Sequence, residues 1–282
     1  YNTLQDTLSG NINADFINIA SPFGALFISG SVGNITGDFI GNFGSESRSS
    51  GAIYHNNGTI GNITGNFINN HSVSGMGGAI AGMSSIIGNI TGNFIGNYIS
   101  GTSANGGAIY NQQIMGNITG NFLNNHSSST NGLATGGAIY SNGTIGDITG
   151  NYVGNYTSSS SGESIGGALH IGNKAGNIIG DFIGNYAFSS SDFFSASGGA
   201  IYNSGTIGNI VGDFIGNYTF TPKSYGYGSA IYNAGTIGDI VGNFVDNYTS
   251  SVDSNYNDSG AIYNSGTIGN IVGDFIGNNQ AI

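Results

Sequence analysis

Short apolar runs separated by glycines recur along the chain, most completely as GAIYNSGTIGNIVGDFIGN. β-branched and aromatic residues dominate these runs at strand-like spacing, which predicts β-strands. The 53 glycines leave no stretch of helix-forming residues as long as a dozen, so no helix is predicted. The three apolar runs of each repeat unit predict three short strands joined by three tight corners.

Two markers define the repeat: the alanine of the GAI element and the aromatic residue of the DFIGN element. From alanine to aromatic the distance is always 14 or 15 residues. From an aromatic to the next alanine it varies between 9 and 18 residues up to Ala261. The inserted stretches include SSSTNGLAT, SSSSGES, SSSDFFSAS and TFTPKSYGYG. Polar, Ser-rich tracts of this kind predict loops, which leave each unit at the same corner.

A fixed period of this length indicates stacked structural units rather than a globular domain. We therefore predict an all-β parallel β-helix, or β-solenoid, of about ten coils with variable loops at one corner. Residues 1–282 are expected to form a single repeat domain. Ten rungs at about 4.8 Å each predict a rod about 48 Å long.

In a solenoid, each residue stacks on its equivalent one coil away, so repeated positions form ladders. An aromatic ladder is predicted inside the rod at Phe39, Phe67, Phe94, Phe122, Phe182, Phe214, Phe244 and Phe275. A second ladder contains the asparagine of each F-x-x-N motif: Asn42, Asn70, Asn97, Asn125, Asn155, Asn185, Asn217, Asn247 and Asn278. A stacked amide donates to one neighbour and accepts from the other, and asparagine tolerates a left-handed corner. We interpret both ladders as structural rather than ligand-binding.

Asp or Asn always precedes the ladder aromatic, which makes like-charged neighbours of Asp15 with Asp38 and of Asp181 with Asp213. Cation binding is the functional alternative at these pairs. Two carboxylates supply fewer oxygens than Ca²⁺ requires, and the calcium-binding GGxGxD roll motif is absent. We therefore predict no metal and no cofactor.

The composition restricts the partners. A formal net charge of −11 with only three basic residues excludes the usual phosphate-driven binding of nucleic acid. It also argues against an anionic membrane surface. No apolar run approaches the roughly 18 residues that span a bilayer, so membrane insertion of this segment is not expected. The absence of cysteine excludes disulfides and thiolate metal sites.

The paired GGA-I and F-x-x-N elements, as at Gly107-Ala108-Ile109 and Phe39 to Asn42, look like those of the chlamydial polymorphic outer-membrane proteins. More broadly, they resemble repetitive autotransporter passengers. The resemblance covers nearly the entire chain and implies a right-handed parallel β-helix, exported to the bacterial surface and active in adhesion. The chain departs from that family in having no cysteine and more regular repeats, and residues 1–282 contain no sequence expected to form that family's C-terminal membrane barrel.

The two ends of the sequence are complementary. Ala281 and Ile282 begin an AIYN element that Tyr1 and Asn2 complete when end and start are joined. One interpretation is a subunit that stacks head to tail into a homopolymeric filament. The other is that the sequence is a window from a longer repeat array, since any cut at this phase gives matching ends.

We therefore predict a non-enzymatic structural protein, extracellular or on the bacterial cell surface, that forms filaments. The alternative is an adhesin passenger or stalk that binds a surface glycan or protein ligand. Candidates for lateral contact are the insertion aromatics Phe193, Phe194, Tyr225 and Tyr227, unless these fold back over the nearest sheet.

Other activities find weaker support in the sequence. The closest carboxylates, Asp181 and Asp213, follow the repeat pattern, whereas Glu46 and Glu163 lie in separate insertions, so we predict no catalytic residues. His71 and His126 occupy a slot otherwise used by tyrosine, about two rungs apart, which indicates substitution rather than metal binding. A single interrupted threonine column argues against ice binding.

Overall fold

The computed structural model describes residues 3–4, 10–251 and 260–281. Within these ranges every regular element is a β-strand, all strand pairs are parallel, and no helix is present. The strands form five sheets that run along a rod, and three of these sheets contain ten strands each, one for each coil. The predicted all-β solenoid of about ten coils is therefore confirmed.

The sheets are numbered here in the order in which a coil passes through them. Sheet 1 contains Thr3–Leu4, Leu26–Ser29, Ile53–Ile60, Ile80–Ile87, Ile109–Asn111, Ile114–Met115, Ile139–Ser141, Thr144–Ile145, Leu169–Ile171, Lys174–Ala175, Ile201–Asn203, Thr206–Ile207, Ile231–Asn233, Thr236–Ile237, Ile262–Asn264 and Thr267–Ile268. Sheet 2 contains Ile12–Asn13, Ile35–Thr36, Ile63–Thr64, Ile90–Thr91, Ile118–Thr119, Ile148–Thr149, Ile178–Ile179, Ile210–Val211, Ile240–Val241 and Ile271–Val272.

The remaining three sheets complete each coil. Sheet 3 contains Phe16–Ile17, Phe39–Ile40, Phe67–Ile68, Phe94–Ile95, Phe122–Leu123, Tyr152–Val153, Phe182–Ile183, Phe214–Ile215, Phe244–Val245 and Phe275–Ile276. Sheet 4 contains Ala20–Ser21, Phe43–Gly44, His71–Val73, Tyr98–Gly101, His126–Ser129, Tyr156–Ser159, Tyr186–Ser189, Tyr218–Thr221, Tyr248–Ser251 and Asn279–Ala281. Sheet 5 contains Ala104–Asn105, Ala134–Thr135, Ser164–Ile165, Ala196–Ser197 and Gly226–Tyr227.

Each coil contains more strands than the three that the sequence predicted. The coil from Ile201 to Tyr227 contributes six, most of them only two residues long. The reason is the glycine that recurs every fourth residue in IGNIVGDFIGN, because the chain turns at each of these glycines. One inward and one outward side chain fit between successive turns.

The Ser-rich insertions are not simply loops, which corrects the prediction. Their first residues extend the strands of sheet 4, and their last residues form sheet 5. Small inward side chains, such as those of Ser127, Ser129 and Ser159, are buried along this wall. Only the central residues of the four inserted stretches named above turn outward, so short turns replace the predicted loops.

One continuous apolar core fills the rod. It is built from the alanine and isoleucine of each GAI element, the isoleucines of sheets 1 and 2 and the aromatic residues of sheet 3. The glycines let the coils approach closely. A Cβ atom on Gly212, for example, would overlap the carbonyl oxygen of Gly180 in the preceding coil. Glycine is required at such corners because backbone meets backbone there.

Candidate functional surfaces

The aromatic ladder runs through the core as one stack of parallel rings. From Phe16 to Phe275 the ring centroids of successive coils are 4.6–5.1 Å apart. Tyr152 occupies one place in this stack, and its buried hydroxyl has no hydrogen-bond partner among the described residues. Stacked aromatic pairs and buried area both stabilise the coil-to-coil contact. All eight predicted phenylalanines lie in this stack, and all except Phe275 are fully buried.

The asparagine ladder is a continuous hydrogen-bonded column. The side-chain nitrogen of Asn70 donates to Oδ1 of Asn97 at 3.0 Å and to the carbonyl oxygen of Phe39 at 2.7 Å. The same pattern repeats from Asn42 to Asn278, so each buried amide binds the coil on either side of it. At the first coil Ile19 takes this position, and its backbone N–H donates to Oδ1 of Asn42.

The left-handed backbone expected at the ladder asparagine belongs instead to the residue before it. Glycine fills that place in most coils, for example Gly96 and Gly154, with φ of 62°. Where glycine is absent, Asn69, Asn124 and Asp246 adopt φ values of 52–54°. These short polar side chains tolerate the left-handed region, which frees the ladder asparagine for hydrogen bonding.

Two further ladders of Asn and Asp residues lie at the corners on either side of sheet 2. Their hydrogen bonds run in the opposite direction to those of the asparagine ladder, because each side-chain oxygen accepts from a backbone N–H of the following coil and not of the preceding one. Oδ1 of Asp15 accepts from the backbone N–H of Asp38 at 2.9 Å, and Oδ1 of Asp181 accepts from that of Asp213 at 2.9 Å. These bonds give each carboxylate a structural use. Nowhere in the described ranges do three or more His, Cys, Asp or Glu residues approach closely enough to hold a metal ion.

An aromatic column stands on the outer side of sheet 4. Phe43, His71, Tyr98, His126, Tyr156, Tyr186, Tyr218 and Tyr248 follow one another there, half-buried, with ring centroids 4.6–5.0 Å apart. Burial lowers the pKa of His126 to about 4. Burial and the neighbouring tyrosines Tyr218 and Tyr156 raise the pKa of Tyr186 to about 12. The rings of His126 and Tyr186 are therefore neutral near pH 7.

An aliphatic column stands on the outer side of sheet 3, and the sequence analysis did not single it out. Its signal is the residue after each ladder aromatic: Ile17, Ile40, Ile68, Ile95, Leu123, Val153, Ile183, Ile215, Val245 and Ile276. Strand pairing stacks each of these residues on its equivalent in the next coil. All ten are at least partly exposed, so the rod presents an uninterrupted apolar stripe to solvent.

The four insertion aromatics lie close together on neighbouring coils. Phe193 is 87% exposed, and Phe194 and Tyr225 are also exposed. Tyr227 is half-buried, with its ring 5.0 Å from that of Tyr263. An ion pair of 3.0 Å between Lys223 and Asp192 ties the two insertions together. Part of this group therefore folds back over sheet 1, and part faces outward.

In the coil formed by residues 260–281, side chains that point into the rod are exposed to solvent at its end. Phe275 is 53% exposed there, and Ile271 is exposed with it. Ala281 ends the strand Asn279–Ala281, which pairs with Tyr248–Ser251. The other proposed assembly residues, Tyr1, Asn2 and Ile282, lie outside the described residues.

These features define the chain as a β-solenoid repeat protein in which ladders of equivalent residues line the core, the corners and the outer columns of the sheets. No family model matches the chain, and no similar protein was found among curated proteins or solved structures. A search of the described residues for a helix long and apolar enough to cross a membrane found none.

Proposed function

We propose that this chain is a non-enzymatic structural protein of the extracellular space or the bacterial cell surface, whose coils stack head to tail into a filament. The observation that carries the proposal is the chemistry of the coil formed by residues 260–281. It offers the exposed ring of Phe275 as the next step of the aromatic stack. No described residue donates to Oδ1 of Asn270 or of Asp274, the atoms that bind the following coil elsewhere in the rod.

The first coil offers the complementary groups. In later coils the backbone N–H groups at these two corners donate to the preceding coil, as Asn34 does to Asn11 and Asp38 to Asp15. The corresponding N–H groups of Asn11 and Asp15 have no acceptor among the described residues. A second copy that stacks on the first would therefore pair Asn270 with Asn11 and Asp274 with Asp15, and would place Phe275 against Phe16.

One ladder does not continue across such a junction. Asn278 needs a side-chain oxygen in the following coil, and Ile19 stands at that position of the first coil. The junction would therefore lack the three hydrogen bonds that the ladder forms between adjacent coils elsewhere. Two are donated to the following Oδ1, and one is donated by the following side-chain nitrogen to the carbonyl oxygen of the ladder aromatic. We expect it to be the weakest axial contact and the point at which filaments dissociate first.

The structural role is supported by how the polar side chains are used. Asn and Asp oxygens that line the corners accept backbone N–H groups of the adjacent coil, which leaves few convergent groups for chemistry. The proposal of a surface location rests on the resemblance of the GGA-I and F-x-x-N elements to exported passenger domains.

The test is electron microscopy of residues 1–282 after refolding. We expect fibres with an axial repeat near 48 Å, the length of ten rungs at about 4.8 Å. Separate rods of that length at every protein concentration would overturn the filament. The blocking variant is Ile271→Lys with Phe275→Lys, which places charges on the exposed coil and should leave separate rods. Thr206→Lys is the control, because the same outer column already contains Lys174.

A role as an adhesin stalk is the second candidate, and it rests on the exposed aromatic rings of Phe193 and Phe194. Exposed aromatic side chains stack on sugars and anchor protein interfaces. A glycan array probed with the chain tests this role. Phe193→Ala with Phe194→Ala should abolish any binding, whereas Ile86→Ala, at an exposed apolar residue of sheet 1, should not. Glycan binding that survives the Phe193→Ala, Phe194→Ala double substitution would rule out this surface.

A further inference from the structure

The outer aromatic column of sheet 4 ends in four consecutive tyrosines: Tyr156, Tyr186, Tyr218 and Tyr248. Strand pairing sets each of them directly opposite the next. Their ring centroids are 4.7, 4.7 and 5.0 Å apart, and successive ring planes differ by 1°, 8° and 6°. Parallel, in-register pairing therefore holds matching atoms of neighbouring phenol rings about one rung apart.

We propose that this run of four tyrosines is a site of oxidative modification, at which dityrosine bonds join the rings of adjacent coils. Each of two neighbouring phenols loses one electron and one proton, which gives two phenoxyl radicals. A carbon–carbon bond forms between their ortho carbons, and each ortho hydrogen is then exchanged as a proton for one on the phenol oxygen. The oxidant is a peroxide. Hydrogen peroxide accepts the two electrons and the two protons as its O–O bond breaks, and it leaves as two water molecules.

The rings are accessible where the reaction takes place. All four are half-buried on the outer side of the sheet, so that solvent and a small oxidant reach them. Stacked rings cover one another's faces, and solvent therefore meets the column at the ring edges, where the hydroxyl and the ortho carbons lie. The protons that are released pass directly to water.

Other tyrosines of the rod lack a phenol neighbour in their stack. Tyr98 belongs to the same column and is also half-buried, but it lies between His71 at 4.7 Å and His126 at 4.9 Å. Tyr152 is fully buried between Phe122 and Phe182. A radical formed on either ring has no stacked phenol with which to couple. These two residues are therefore internal controls for the site.

A bond at this site would close a long loop of the chain. Tyr156 and Tyr186 are 30 residues apart in the sequence, and Tyr186 and Tyr218 are 32 apart. A cross-link of that span restricts the unfolded chain in the way that a disulfide does. The chain has no cysteine with which to form a disulfide. Because all four tyrosines belong to one chain, the modification does not depend on the proposed head-to-tail contact.

Oxidation of the full chain with hydrogen peroxide and a peroxidase, at low protein concentration, tests the proposal. We expect dityrosine fluorescence, migration as a single chain after denaturation, and the loss of two hydrogens for each bond by mass spectrometry. Cleavage after Asp and Glu places the four tyrosines in four different peptides. The cross-linked peptides should join neighbours within the run, whereas the urea-unfolded chain should also couple Tyr98 and Tyr152.

Two results of the peptide map would overturn the proposal. One is coupling of Tyr98 or Tyr152 in the folded rod as often as coupling within the run. The other is the absence of cross-links from the run while the unfolded chain couples normally, even if dityrosine forms elsewhere, for example between Tyr202 and Tyr232 of sheet 1.

Tyr186→Phe with Tyr218→Phe leaves no two tyrosines adjacent in the column, and the stack is kept because Phe43 already belongs to it. In the parent chain oxidation should raise the melting temperature by about 5 °C or more. The double variant should lose both that rise and the cross-linked peptides of the run. Tyr98→Phe with Tyr152→Phe is the matched control and should retain both. An equal rise in the two double variants would contradict the assignment.

Discussion

The side-chain amide of Asn97 donates to Oδ1 of Asn125 in the next coil at 3.0 Å, and both residues are completely buried. The same nitrogen donates to the carbonyl oxygen of Phe67 in the coil before, at 2.8 Å. One amide therefore joins three successive coils. Buried amides in such a hydrogen-bonded column stabilise the rod only while every asparagine of the column is present. The loss of one asparagine leaves several buried polar atoms without partners.

Asn97→Ala should therefore destabilise the rod strongly. It removes the donor to Phe67 and Asn125 and also the acceptor for the backbone and side-chain N–H groups of Asn70. We expect a loss of about 3–5 kcal/mol in the free energy of unfolding, measured by urea denaturation. Asn93→Ala in the same coil is the control, because water reaches that half-buried ladder and the loss should be about 1 kcal/mol. Equal losses would contradict the ladder's role.

The corner glycines should differ sharply in their tolerance of a side chain. Gly120 has φ of +154°, and a Cβ on it would overlap the carbonyl oxygen of Gly92. Gly184 has φ of +60°, and nothing lies within 4 Å of its added Cβ. Gly120→Ala should prevent folding of the coil or shift its backbone. Gly184→Asn should change the melting temperature little, since Asn69 and Asn124 already occupy that place in other coils. Similar melting temperatures for the two variants would refute this assignment.

The sequence repeat predicted the coil because the GAI alanine and the ladder aromatic keep a nearly constant spacing. Such a spacing is expected when both residues occupy the same positions in every coil. The stacked positions of Phe67 and Phe94 follow directly from that spacing. The direction of the amide bonds does not, because sequence spacing is the same whichever coil accepts the bond. The insertions were misjudged because Ser127 and Ser159 have a composition typical of loops, whereas their small side chains fit the inner wall of sheet 4. The aliphatic column was overlooked because Ile68 follows Phe67 so regularly that both seemed to belong to the core.

Tyr152→Phe should stabilise the protein. The Tyr152 hydroxyl is buried within a stack of phenylalanine rings and has no partner among the described residues. Its removal should raise the free energy of unfolding by about 1–2 kcal/mol, because the desolvated hydroxyl is no longer present. Tyr156→Phe, at a half-exposed ring of the outer column, should have an effect below about 0.5 kcal/mol. A stability loss in Tyr152→Phe would reveal a hydrogen bond to that hydroxyl, for example from ordered water.

Acidification should destabilise the rod through two histidines. Burial lowers the pKa of both His126 and His170 to about 4, whereas a histidine in the unfolded chain has a pKa near 6.5. Between these values the unfolded state binds more protons than the folded state. The contribution of each neutral ring is therefore complete above pH 6.5, falls as the pH is lowered, and is lost below about pH 4.

Replacement of both histidines by tyrosine separates this effect from that of the carboxylates. His126 lies between the rings of Tyr98 and Tyr156, and His170 lies between those of Tyr140 and Tyr202, so tyrosine should continue both columns. The decrease in melting temperature from pH 6.5 to pH 4 should be smaller in the double variant than in the parent chain. His71→Tyr, which removes a single histidine whose pKa burial also lowers, should reduce the decrease to a smaller extent. An unchanged pH dependence in the double variant would mean that both rings accept protons in the folded rod as readily as in the unfolded chain.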